Sequence, residues 1–173
     1  MSRKAAKGLT VRLENLTPFA PMTPNQKVAI DAWKAGDNMM LSGSAGTGKT
    51  FLALRMAIEE VLDRDTPYDK VVIIRSVVPT RDMGFLPGTE EEKMEAYTGP
   101  YKGIIEEIFE DKSAWGKLTI AGTIQFESTS FIRGITFNNA VIVVDEMQNL
   151  NFHELDSVIT RVGANCRINF CGD

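Results

Sequence analysis

Histidine and cysteine are nearly absent from this chain of 173 residues, which has one histidine, His153, and two cysteines, Cys166 and Cys171. Without a Cys/His cluster a zinc site has no support. The two cysteines fall on one short predicted strand at odd spacing, so their side chains face opposite sides. That argues against a disulfide between them and for reduced thiols in a cytoplasm. No window approaches the ~20 apolar residues of a membrane span, and the N-terminus lacks the apolar stretch of a signal peptide. Internal repeats and low-complexity segments are missing as well. Positive charge is not in excess: the formal net charge of −4 argues against a strongly basic nucleic-acid binder, while leaving room for a local basic groove.

What is present is ordinary globular composition, 43% apolar and 24% charged, enough for one domain with a full core. The first residues carry Arg3, Lys4, Lys7 and Arg12 with few apolar partners. Residues 1–20 are therefore expected to form a flexible, solvated basic arm, with nucleic-acid contact as the lesser reading. Residues 21–173 are expected to form the folded domain.

The domain alternates helices and strands. "TPNQKVAIDAWKAG" reads as a helix with Thr23 as N-cap, Pro24 in the first turn, Val28, Ile30 and Trp33 inward, and Gly36 as stop. "NMMLSG" reads as a short buried strand, and "TFLALRMAIEEVL" as a helix with Leu54, Ile58 and Val61 on one face. "YDKVVIIRS" and "AVIVVDE" are apolar runs of the kind found in parallel strands covered on both faces. Between them the chain looks irregular from Val77 to about Thr123, apart from a helix around "YKGIIEEIF". "NFHELDSVITRVG" is an amphipathic helix, capped by Asn151 with Glu154 closing the box, ended by Gly163, and with Phe152, Leu155, Val158, Ile159 and Val162 inward. "RINFCGD" is a final strand. The pattern implies an α/β fold, a parallel sheet with right-handed crossovers flanked by helices.

"GSAGTGKT" matches G-x-x-x-x-G-K-[ST] between a strand and a helix. The amides of Gly43, Ser44, Ala45, Gly46, Thr47 and Gly48 are placed to surround phosphate oxygens. Lys49 supplies a point charge to the β/γ-phosphates and the Thr50 hydroxyl a ligand for Mg²⁺. The following helix points its positive end at the same anion. "AVIVVDEMQN" sets two carboxylates at the carboxyl end of a buried strand, where ligands of open parallel sheets collect. Asp145 is then the outer partner of Mg²⁺, and Glu146 the group that orients and deprotonates water. Gln148 is in reach of both a γ-phosphate oxygen and that water, or is an ordinary loop glutamine.

With these motifs, the chain resembles the PhoH-like family of phosphate-starvation ATPases, also carried by many phages, which in turn is similar to the first RecA-like domain of superfamily 1 helicases. Beyond the phosphate loop, the resemblance rests on "IIRSVVPTRDMGFLPGTEEEKM", "SFIRGITFNNAVIVVDEMQN" and "TRVGANCRINFCGD", and it covers about Thr23 to Asp173. It implies a P-loop NTPase of RecA-like fold that binds ATP and Mg²⁺. By the same resemblance Gln26 reads the adenine edge, although Thr23-x-x-Gln26 is also a capping box. "RINFCGD" resembles the motif whose strand lies between the phosphate-loop strand and the acidic strand, which sets Asp173 beside the γ-phosphate. Relatives continue past this point, so the domain is expected to be cut short at its C-terminus. Where the family has Arg-Pro, this chain has Arg75-Ser76, and the loop that follows is expected to be less rigid.

An arginine supplied in trans accelerates phosphoryl transfer by roughly 10³–10⁵, and Arg133 and Arg161 match the family's pattern. Their ordinary alternatives are a strand-end salt bridge and a helix C-terminal charge. The resemblance implies a homo-oligomeric ring, a hexamer among the expected forms, in the cytoplasm or in a host's cytoplasm if phage-encoded. Three uses of the nucleotide follow. The first is a helicase-like ATPase acting on single-stranded RNA or DNA, with Arg81 and Phe85 at the strand. The second is an oligomeric switch acting on protein partners, which the acidic "GTEEEKMEAY" suits. The third is a small-molecule kinase, against which "DE.QN" argues.

Overall fold

The computed structural model describes residues 11–44, 46–77 and 90–173. Among them, β1 (Met39–Ser42), β2 (Lys70–Arg75), β3 (Ile124–Ser128), β4 (Ala140–Val144) and β5 (Arg167–Gly172) form one sheet in the order β1-β5-β4-β2-β3. Every pairing is parallel, with Val72 beside Ile142 and Ile142 beside Ile168. The helices are α1 (Pro24–Lys34), α2 (Lys49–Leu62), α3 (Glu90–Phe109), α4 (Ala114–Ile120) and α5 (Phe152–Ile159). This is the α/β, P-loop RecA-like arrangement expected, and β5 lies between β1 and β4.

The continuous apolar runs exist because both faces of the sheet are covered. Val71 and Ile73 of β2 and Val141 and Val143 of β4 pack toward α1–α4 with Trp33, Leu54, Ile58, Ile105 and Leu118. Val72, Ile74, Ile142 and Val144 point the other way, toward Val158 of α5 and Phe137. The two cysteines separate across the same sheet: Cys171 joins the first core and Cys166, one residue before β5, joins the second. Both are free thiols.

Several local expectations need correcting. β1 is an edge strand rather than a buried one, so Met40 is exposed, and Val28 of α1 is exposed rather than inward. On α5 only Val158 is fully buried, and Phe152, expected inward, is 78% exposed. The stretch read as irregular apart from a helix around "YKGIIEEIF" holds α3, whose second half is that helix, then α4 and, just after it, β3. α3 runs through Pro100, and the Gly99-Pro100 pair hides its first half because proline removes a helix N–H and ordinarily breaks the pattern. β3 alternates Gln125 and Glu127 with apolar residues on an edge, too weak a signal beside the buried strands. Thr23 caps α1 as read, accepting from the Gln26 backbone N–H at 3.2 Å. The Gln26 side chain takes the Met22 N–H and leaves that box open, whereas Asn151 and Glu154 complete a reciprocal box on α5.

Residues 1–10 of the basic arm, Arg3, Lys4 and Lys7 among them, lie outside the described residues. From Val11 onward the chain lies on the helices: Thr17 donates its N–H and hydroxyl to the Ile108 carbonyl, and Phe19 meets Phe51 at 5.7 Å.

Arg167 joins α1 to the sheet. Its guanidinium lies 3.3 Å from the centroid of the Trp33 ring, donates to the carbonyls of Trp33 and Asp37, and stands 3.4 Å from Glu60. Its side chain is 9% exposed, so these contacts are poorly screened. Arg167→Ala is expected to lower the unfolding free energy by about 2–4 kcal/mol. Arg167→Lys, which keeps the charge but not the flat stack, should recover less than half of that in urea denaturation.

Candidate nucleotide site

All five strands run the same way, so their carboxyl ends share one edge, and the motif residues are delivered there. The Gly43 N–H donates to the Gly172 carbonyl at 3.3 Å, setting the start of the phosphate loop against the end of β5. Gly48 caps α2 at φ 78°, ψ 19°, a left-handed conformation that side chains with a Cβ rarely adopt. Lys49 opens α2 and folds back over the loop, donating to the carbonyls of Gly43 and Ser44 and pairing with Asp173 Oδ1 at 3.0 Å. An anion held by the loop competes with those acceptors for the ammonium. Thr47 Oγ1 donates to the Ser44 carbonyl at 2.8 Å. Ala45 lies outside the described residues.

Asp145 leaves β4 only 6% exposed, its N–H bonded to the Ile74 carbonyl at 2.9 Å. Its two oxygens have different donors. Oδ1 accepts from the Thr50 hydroxyl at 3.0 Å, and Oδ2 accepts from the phenol of Tyr101 at 2.7 Å. Burial first, and then the Asp145 charge, raise the Tyr101 phenol well above its ordinary range, with Arg75 opposing, so it remains a donor. One carboxylate and one hydroxyl side by side suit Mg²⁺, which keeps most of its waters and takes phosphate oxygens. Among the described residues no group of three His, Cys, Asp or Glu side chains could cage a metal instead.

Glu146 adopts φ 53°, ψ 43° and opens the short 3₁₀ turn Met147–Asn149. A left-handed non-glycine costs about 1–3 kcal/mol and persists only where neighbours hold it. Here Gln148 Nε2 donates to Glu146 Oε2 at 2.7 Å, while Gln148 Oε1 accepts from the Asp173 N–H at 3.2 Å. Gln148 thus bridges Glu146 and Asp173. The turn approaches β5 so closely that a Cβ on Gly172 would lie 2.6 Å from Met147 Cγ and 2.7 Å from Gln148 Oε1.

Two cavities share the phosphate loop as a wall. One, of 300 Å³, is bounded by Lys49, Thr50, Asp145, Glu146 and Asp173. The other, of 890 Å³, runs from the loop along β1 to α1 and is lined by Gln26, Val28 and Met40. Gln26 Oε1 accepts from the Met22 N–H at 2.7 Å, and its Nε2 faces Gly48.

The remaining candidates are dispersed. Arg133 is exposed in the turn after β3, and Arg161 follows α5 with its carbonyl bonded to the Phe137 N–H at the opposite end of the sheet. Neither lines the 300 Å³ cavity. Arg75 ends β2 with its guanidinium 5.7 Å from the Tyr97 ring centroid. Ser76 donates to Glu154 Oε1 at 2.9 Å, a bond that proline at this position lacks, and Thr129 donates to the same oxygen at 3.0 Å. Arg81 and Phe85, with the rest of residues 78–89, lie outside the described residues. Tyr101 was not singled out by sequence, where it is only the first residue of the helix expected around "YKGIIEEIF".

The family model described as "PhoH-like protein" matches residues 18–173. Protein PhoH2 of Bacillus subtilis is 35% identical over 167 residues, covering 92% of this chain and 37% of that protein. A PhoH-like protein of Mycobacterium leprae is 33% identical over 168 residues, covering 96% of this chain and 45% of that protein. Protein PhoH of Escherichia coli is 28% identical over 170 residues, covering 97% and 48%. The chain therefore spans less than half the length of these relatives.

Two outcomes follow from the geometry. Gly172→Ala should destabilise the protein by about 1–3 kcal/mol in chemical denaturation, because its methyl group meets the Met147–Gln148 turn. Burial, and then the Asp145 charge, push the Cys171 thiol up to about 12, against about 8.5 in an unfolded chain. Between those values the unfolded chain releases a proton that the folded chain keeps. The contribution of Cys171 to stability is thus complete below about pH 8.5 and declines as pH rises toward 12. At pH 8 a thiol reagent should label Cys166 in the native protein and reach Cys171 only after denaturation.

Proposed function

The chain belongs to the PhoH-like family, and from that premise we propose that it binds ATP with Mg²⁺ and hydrolyses it, with turnover coupled to single-stranded RNA or DNA. Family membership supports the coarser part, a nucleotide-binding, ATPase-like function. The observation that carries the catalytic reading is the 300 Å³ cavity on which Lys49, Thr50, Asp145, Glu146 and Asp173 converge.

In this reading, Lys49 exchanges its loop carbonyls for β- and γ-phosphate oxygens. Amides of the loop and of the first turn of α2 hold the remaining oxygens. Thr50 and Asp145 would hold the magnesium ion, which would supply positive charge to neutralise the phosphates. Glu146 orients a water and takes its proton. Gln148 and Asp173, already joined, respond to the γ-phosphate through Lys49. The larger cavity takes the base and sugar, with Gln26 at the adenine edge. Arg133 and Arg161 act on a neighbouring subunit of a homo-oligomeric ring. No described helix is long and apolar enough to cross a membrane, and the proposed setting is the cytoplasm.

Coupling to single strands draws support from exposed aromatic faces. Thr129–Glu154 bonding brings the turn carrying Phe131, 70% exposed, near the start of α5, where Phe152 is exposed too. Single strands stack on such faces. Protein contact is the second reading, favoured by the net charge of −4.

The test is ATP turnover with and without single-stranded RNA or DNA at two salt concentrations. Stimulation that fades steeply with salt is expected, because phosphate contacts release counterions. Glu146→Gln should lower turnover by roughly 10²–10⁴ while ATP still binds. Turnover indifferent to nucleic acid would move the reading to an ATP-driven oligomeric switch. Absence of turnover in the unaltered protein would sink both.

A further inference from the structure

We propose that Tyr101 is a positioning residue for the metal carboxylate, fixing Asp145 so that its free lone pairs meet the cation, which makes α3 part of the nucleotide site. The inference rests on the ATP and Mg²⁺ reading above and adds a residue to it. Tyr101 itself touches neither phosphate nor water and acts through Asp145.

The geometry is that of a carboxylate held from two sides. Thr50 of α2 donates to Oδ1 at 3.0 Å and Tyr101 of α3 donates to Oδ2 at 2.7 Å. The torsion that turns a carboxylate is broad and shallow, so one donor alone leaves its plane poorly defined. Two donors from different helices define it. Tyr101 is in turn immobilised: it is 1% exposed, and its ring packs against Phe126 with centroids 5.9 Å apart. One turn earlier on α3, Tyr97 lies under Arg75, which also bears on the Tyr101 phenol.

The residue type fits this role. A phenol donates one hydrogen bond and carries no charge, so Asp145 keeps its full negative charge for a cation. A lysine or arginine at this place would satisfy the same oxygen but compete with the metal electrostatically. Phenylalanine would fill the same core volume without directing the carboxylate, and that contrast separates positioning from packing.

Tyr101→Phe in the full chain tests the assignment, read by binding of a fluorescent ADP analogue. Titrations are run in EDTA and then with increasing Mg²⁺, beside the unaltered protein. Removal of an outer hydrogen bond to a metal ligand commonly weakens metal affinity 10–100-fold, so the Mg²⁺ concentration for half-maximal effect should rise by about that factor, with Mg²⁺-free binding unchanged within about two-fold. An unchanged Mg²⁺ requirement in Tyr101→Phe would overturn the proposal alone. Equal weakening with and without Mg²⁺ would also overturn it, showing a structural role. Absence of Mg²⁺-dependent binding in the unaltered protein would overturn both this inference and the reading on which it rests.

Discussion

Asp145 is a nearly buried carboxylate at the end of a fully buried strand, and a charge in that position has to be met by donors. Much of the domain is arranged around that requirement. α2 brings Thr50 to one oxygen while its first residue, Lys49, reaches over the phosphate loop. α3 crosses the same face of the sheet and brings Tyr101 to the other oxygen. The carboxylate is therefore where the two crossover helices and the central strand become one unit.

The parallel sheet makes this convergence possible. Hydrogen bonding of β4 to β2 and β5 fixes the level at which each strand ends, so Arg75, Asp145 and Gly172 emerge along one edge. Interactions on that edge form a connected set: Glu146 to Gln148, Gln148 to the Asp173 amide, and the Asp173 carboxylate to Lys49. The strained backbone of Glu146 and the close passage of Met147 over Gly172 belong to the same set. The group assigned to water and the lysine assigned to phosphate are thus linked through two side chains. An anion that takes Lys49 from Asp173 has a route of direct contacts to Glu146.

Legibility varied with the strength of the local signal. The buried strands β2 and β4 announce themselves as apolar runs because both faces are covered, and the phosphate loop because its glycines and lysine have one common use. The caps of α1 and α5 were readable for the same reason: Thr23 and Asn151 serve neighbours three residues away. Edge elements were harder. Among the described residues β1 and β3 each have one strand neighbour; β1 was nonetheless read as buried, and β3 was not read at all. Only the half of α3 after Gly99-Pro100 was legible, although packing of Tyr101, Ile105 and Ile108 carries one helix through that pair. Phe152 and Ile159 lie seven residues apart, on a strip of α5 beside that of Val158 and beyond what the sheet covers.

The sequence by itself determined the parallel α/β class, the phosphate loop, and Asp145 and Glu146 as the acidic pair, because each depends on residues within a few positions of one another. Tertiary structure decided which groups hold those residues. The Tyr101–Asp145 bond spans 44 positions, Thr50–Asp145 spans 95 and Lys49–Asp173 spans 124. Such pairs leave no periodicity or spacing in a single chain. They arise only when the sheet sets the strand ends level and the helices pack down onto it, so the donors to Asp145 belonged to the fold rather than to any motif.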